Sequence, residues 1–221
     1  MLFDLLRGNM TFESALVHIA VILLMIFLIL PVHEFAHAGV AYLLGDRGIK
    51  YRGRLSLNPL AHIDIVGSLM MLFIGVGWAK PVPVNPGAFR KPKLYMGITA
   101  LAGPVSNILC GMFGGLVLAV LQNTAFLWLY TTEAGYFVFL FLWYYISINA
   151  SLAVFNMIPI PPLDGSKVLF IFLPDRIVNM FYRYQQYSFI LLMVLVYSNV
   201  LDGILSFCSG FVFDLCTFFA F

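Results

Sequence analysis

His33 and His37, with Glu34 between them, are the residues of this chain best suited to chemistry. In the run His33-Glu34-Phe35-Ala36-His37 the histidines stand four residues apart. On a helix of about 3.6 residues per turn they therefore share one face. Their imidazoles can converge on one metal ion, and Glu34 beside them can take a proton from a water that the ion activates. The setting argues against chance. Residues 15–32 contain no Lys, Arg, Asp or Glu, and apolar residues continue from Ala38 to Leu44. A charge inside a membrane span costs roughly 2.5–3.5 kcal/mol on insertion scales, so Glu34 needs a task or a partner there.

A catalytic zinc takes three protein ligands and leaves one position open, so a third ligand must come from elsewhere in the chain. His62, Asp64 and Asp164 are the candidates, ahead of Asp202 and Asp214. Asp164 is favoured, because it follows the rigid Pro159-Ile160-Pro161-Pro162 break and precedes Gly165. Its bland role would be to cap the helix that starts after Pro162. For His62 a hydrogen bond to loop backbone outweighs ligation. Cys110, Cys208 and Cys216 all lie in apolar segments at no metal-ligand spacing, and read as small buried hydrophobes.

These residues have to be positioned by membrane helices. Of 221 residues 62% are apolar and only 10% charged, with mean hydropathy +0.97. A soluble domain carries about 25% charged residues, so this chain has too little polar surface to face water and is read as an all-α polytopic membrane protein. The apolar run continues into the histidine motif without a small-x-small cleavage site, so the first thirty or so residues do not read as a cleaved signal peptide. The net charge of +2 gives no reason to expect nucleic acid, because the basic residues sit in short loops beside the spans.

Residues 1–14, with Asp4, Arg7 and Glu13, are expected to form a short interfacial segment. Spans follow at about Ser14–Leu44, Leu94–Leu121 and Ala134–Ile158. Pro31 predicts a break just before the histidines. The apolar stretch Ile65–Trp78 is short for a span of about 20 residues. Basic residues flank it on both sides, Arg47, Lys50, Arg52 and Arg54 before and Lys80, Arg90, Lys91 and Lys93 after. A crossing would put these loops on opposite sides, against the positive-inside tendency. Residues 55–90 are therefore expected to form a re-entrant, β-like insertion entering and leaving on the cytosolic side, beside the active site. Gly111 and Gly115 have the spacing that allows close helix approach. The acidic loop 122–133 fits the outer face, and residues 187–201 and 204–221 form either one span with a returning segment or a hairpin. The outcome is a three-helix core with additional C-terminal helices. Its N-terminus lies outside, and the histidine pair and Asp164 reach the same depth near the inner face.

The chain resembles the site-2 protease family of intramembrane zinc metalloproteases, and in particular its short prokaryotic members without PDZ or CBS domains. The resemblance is carried by Val32-His-Glu-Phe-Ala-His-Ala38, Asn58-Pro-Leu-Ala-His-Ile-Asp64, Gly77-Trp-Ala-Lys-Pro-Val-Pro-Val-Asn85, Ala102-Gly-Pro-Val-Ser-Asn107 and Asn156-x-x-Pro-x-x-Pro-Leu-Asp-Gly165. It implies that His33, His37 and Asp164 hold one zinc ion, that Glu34 is the general base, and that Asn156 contacts substrate or the developing oxyanion. It further implies hydrolysis of peptide bonds within or near transmembrane segments, in a cell membrane, at a site opening toward the cytosol. The implied domain is a single membrane-embedded peptidase over 1–221, with its catalytic core at about 14–165 and C-terminal membrane segments at about 187–221. Lipid and a transmembrane protein substrate are the expected partners. Asn107 is expected to tie helices together, and the insertion to pair with an unwound substrate by β-addition. Asn58, His62, Asp64 and Lys80 could line a water route from the cytosol. The alternative from another class is a membrane zinc-binding protein or metal transporter without proteolysis, since intramembrane His and Asp also suit ion pathways.

Overall fold

The computed structural model describes residues 12–74 and 77–220. Most of the expected interfacial segment at 1–14 lies outside them. The first long apolar helix is built from α1 (Phe12–Leu24) and α2 (Leu30–Leu44), joined by a π turn over Met25–Ile29. The turn has a local cause. Pro31 lacks an N–H, and its ring crowds the carbonyl four residues back, at Phe27, so the backbone widens there. The break expected at Pro31 is thus a loosened turn just ahead of it, one turn from His33. Gly45 ends α2 with φ +126°, a conformation open to glycine. The next residue, Asp46, is buried and accepts the Asn85 amide at 2.7 Å. A one-turn helix, α3 (Gly48–Tyr51), follows.

The insertion turns back on itself. It comprises a 3₁₀ turn (Pro59–Ala61), helix α4 (Ile65–Ile74), a non-helical run over 77–85 and a second 3₁₀ turn (Pro86–Ala88). Ten residues of helix rise about 15 Å, half of a hydrocarbon core of about 30 Å. Gly67 on α4 lies directly against Gly77 and Trp78, where a side chain would have no room, and the Lys80 amide donates to the His62 carbonyl at 2.8 Å. Met71 packs with Ile26 and Leu30 of the first helix. Among the described residues no β-strand forms. The run 77–85 carries Pro81 and Pro83, which cannot donate to a ladder.

Helix α5 (Pro92–Thr124) is the hub, packing against α2, α7 (Glu133–Asn156), α8 (Asp164–Phe170) and α11 (Asp202–Thr217). Its glycines set the approach. Gly111 and Gly115 face Cys216 of α11, and Gly114 faces Tyr145 and Ile146 of α7, all too closely for a side chain. The close approach read from the Gly111 and Gly115 spacing is therefore the seat of α11. Between α5 and α7 the expected loop contains a short helix, α6 (Phe126–Thr131). Among the described residues three helices are long and apolar enough to cross a membrane: Ile19–Leu44, Pro92–Thr124 and Glu133–Asn156. After α8, helix α9 (Asp175–Arg183) is tied to the start of α5 by Lys93, which reaches Asp175 at 3.0 Å. Helices α10 (Gln185–Tyr197) and α11 then meet at 84°. The three cysteines are free thiols, Cys216 buried as expected and Cys110 and Cys208 only half-buried.

Candidate metal centre

Helical spacing puts His33 and His37 on the face of α2 that meets α5. Both are buried, and their rings meet edge to face with centroids 4.7 Å apart. The third member arrives from α8, which packs against α5 as α2 does. The proline-rich link after α7 ends at Leu163, which stands at the cap position without a side-chain cap hydrogen bond, and Asp164 opens α8 as its first residue. Its carboxylate points to the rings. Gly165 allows this, because its backbone lies against the Met157 and Ile158 carbonyls where a Cβ would not fit.

Three atoms converge: His33 Nε2 and His37 Nε2 are 3.1 Å apart, and Asp164 Oδ2 lies 3.3 and 3.1 Å from them. Ligands at about 2.0–2.2 Å from a tetrahedral zinc stand about 3.3–3.6 Å from one another, so the observed triangle is close to one face of that tetrahedron. The rings are oriented from behind. His37 Nδ1 donates to the Thr99 carbonyl at 2.7 Å, and His33 Nδ1 lies 3.3 Å from Asn107 Oδ1. With the protons at Nδ1, both Nε2 atoms and Oδ2 turn lone pairs toward one point. Such an arrangement is reconciled by a cation at the centre, and the donor set suits zinc. Gly103 of α5 closes the other side, where a Cβ would collide with both imidazoles. These three residues form a grouping able to hold a metal ion.

With protons in place of a metal, burial raises the Asp164 pKa. The charge on His37, hydrogen bonds from both rings and the nearby Lys167 ammonium outweigh it and hold the carboxyl well below the usual range. Lys167 Nζ reaches Asp164 Oδ1 at 3.2 Å.

The triad opens into a cavity of about 730 Å³ whose wall includes Glu34, Trp78, Thr99, Asn156 and Lys167. Glu34 is half-buried there and accepts the Val82 amide at 3.1 Å, which ties the 77–85 run to the candidate base. Asn156 lines the same space, with one amide hydrogen on the Leu152 carbonyl of its own helix at 3.1 Å. The cavity also touches Phe189 and Val196 of α10, and Phe189 meets Trp78 edge-on at 6.1 Å.

Other candidates lie elsewhere. His62 is buried and places Nε2 2.7 Å from the Ser56 carbonyl, the backbone bond expected of it. Asp64 accepts the Gly67 amide at the start of α4. Neither residue, nor Asn58 or Lys80, is among the residues lining the cavity. Asp202 and Asp214 sit on α11, outside the grouping. Sequence reasoning missed Thr99, which acts through its carbonyl, and gave Asn107 only the task of joining helices. The cost of an amide in mid-span was the available signal for Asn107.

Residues 130–197, which include Asp164 but not the histidine pair, match the family model described as Peptidase family M50. Over 163 residues the chain is 38% identical to the protein named Putative zinc metalloprotease YwhC of Bacillus subtilis (strain 168), covering 74% of each. It is 31% identical over 199 residues to Putative zinc metalloprotease Rip2 of Mycobacterium tuberculosis (strain ATCC 25618 / H37Rv), covering 84% of this chain and 70% of that one. An archaeal protein, Putative zinc metalloprotease MJ0611 of Methanocaldococcus jannaschii, is 36% identical over 143 residues, or 62% of each chain. No solved structure matches the chain.

Proposed function

The chain belongs to peptidase family M50, and from that premise we propose that it is a zinc-dependent endopeptidase cutting membrane proteins within or beside their transmembrane segments. The observation that carries the proposal is the convergence of His33 Nε2, His37 Nε2 and Asp164 Oδ2 within 3.3 Å of one another, from helices far apart in sequence. Bound by these three residues, zinc supplies a Lewis acid that acidifies water and polarises a carbonyl. The remaining chemistry falls to the chain itself. Glu34 takes a proton from the attacking water as its oxygen bonds to the scissile carbonyl carbon. When the C–N bond breaks, Glu34 delivers that proton to the departing amine. Asn156, whose amide has a hydrogen to spare, faces the same cavity and could donate to the developing oxyanion.

A substrate helix hides its carbonyls in its own hydrogen bonds, so it must unwind to be cut. The non-helical run at 77–85, held beside Glu34 through Val82, is the natural place for an unwound segment to lie. The basic residues before and after the insertion favour a cytosolic mouth, and the bacterial relatives favour a prokaryotic cell membrane. We read the chain as one membrane-embedded domain, with its core over about 14–165 and the helices after 187 attached to it.

Purified protein in detergent, given a single-span substrate, tests the reading. Cleavage should stop with a zinc chelator and return on adding zinc. Glu34→Gln should keep its zinc and lose cleavage by about 100-fold or more, while Asp164→Ala should lose both. Full cleavage by Glu34→Gln would exclude the assigned base. Tight zinc without cleavage of any membrane peptide would favour a metal-binding or transport role.

A further inference from the structure

Lys167 is the ammonium in the wall of the cavity, and the reaction as derived gives it no task. The two oxygens of Asp164 are used differently. Oδ2 faces the imidazoles at 3.3 and 3.1 Å. Oδ1 is turned away and accepts from Lys167 Nζ at 3.2 Å. Among the described residues Lys167 is the hydrogen-bond donor to Oδ1. Lys167 stands one turn further along α8 and so on the same face. The pair differs from an ordinary solvated one, because the Asp164 side chain is only 8% exposed while that of Lys167 is 37% exposed. A buried carboxylate is held by a side chain whose head reaches in from the cavity.

A carboxylate can bind an ion through one oxygen or through both. Using both fills a coordination position, and a hydrolytic site must keep one position open for water. We infer that Lys167 is a positioning residue that restrains Asp164 Oδ1, so that the carboxylate meets the ion through Oδ2 alone and a position stays free. The inference rests on His33, His37 and Asp164 being the ligands. It concerns what keeps that site hydrolytic rather than whether it binds metal.

Cobalt(II) in place of zinc reads the coordination directly, because a four-coordinate ion gives a much stronger visible band than a five-coordinate one. The full-length protein, Lys167→Met, Lys167→Arg and Asp164→Ala would be loaded with cobalt in detergent, with thermal unfolding to check that each is folded. Lys167→Met should bind cobalt, show a weaker band shifted from the parent's, and cleave about 10–100-fold more slowly. Lys167→Arg, which keeps a cation and donors, should recover the parent spectrum and most of the cleavage. A parent-like spectrum in Lys167→Met would overturn the inference, and so would loss of the spectrum in Lys167→Arg with the protein still folded. Asp164→Ala separates the two levels. If it bound cobalt with the parent spectrum, the three-ligand reading itself would fall, and this inference with it.

Discussion

Two imidazoles and a carboxylate hold an ion well only if they cannot turn, and in this chain α5 does the holding. The Thr99 carbonyl takes the His37 Nδ1 proton, Asn107 Oδ1 lies at His33 Nδ1, and Gly103 leaves the space into which both rings fit. Losing such a support typically costs 10–100-fold in metal affinity or activity. Asn107→Ala should therefore weaken zinc binding by about that factor, measured by competition with a chromophoric chelator. Gly103→Ala should do at least as much, since its methyl group would push the imidazoles apart. Wild-type affinity in Gly103→Ala would mean that the rings are not seated as described. This scale also marks how far the sequence could be read. His33, Glu34 and His37 declare themselves, because helical geometry turns a four-residue spacing into a shared face. Asp164 is legible through the prolines and glycine around it. Thr99 is not, because it works through a backbone carbonyl that any residue has. Lys167 reads on paper as one more basic residue on the cytosolic side.

At the scale of elements, the spans are legible because length and apolar run are sufficient signals, and the expected spans fall within a few residues of α1–α2, α5 and α7. What the sequence leaves open is how elements bend. Pro31 announces a break before the histidines but not its form as a π turn, and the 84° meeting of α10 with α11 is settled by packing, which periodicity does not contain. The insertion is the clearest case. Its charge pattern implies re-entry, and α4 does turn back, but the arm beside the site forms no ladder. It is tied to Glu34 by the Val82 amide at 3.1 Å. Val82→Pro removes that single donor in a segment already flanked by Pro81 and Pro83, whose neighbours must be extended in any case. A hydrogen bond to a charged group is worth about 1.5–3 kcal/mol, so cleavage should fall about 10–150-fold with zinc content unchanged. Val82→Ala keeps the amide and should cleave nearly as the parent does. Equal rates in the two variants would show that the amide does not orient Glu34.

For the whole molecule, the question is which side of the membrane supplies water to the cavity. Every basic cluster of the sequence lies before or at the start of α5, or follows α7, while the turn between those helices, residues 125–132, has no basic residue. Helix α5 alone has 33 residues, about 50 Å at 1.5 Å per residue, more than enough to separate the two ends across a hydrocarbon core of about 30 Å. The start of α5 lies beside α8 and α9, where Lys93 joins Asp175, so the Asp164 end of the site and the basic loops share one face of the protein. If that face is cytosolic, single cysteines report it. Lys91 and Thr131 are both exposed, at opposite ends of the α5–α7 pair, and the chain's own cysteines sit in helices at buried or half-buried positions. In intact cells a membrane-impermeant maleimide should label Thr131→Cys and spare Lys91→Cys, and opening the cells should expose the second site. The reverse pattern would turn the cavity outward, and the water for hydrolysis would then have to come from the other side.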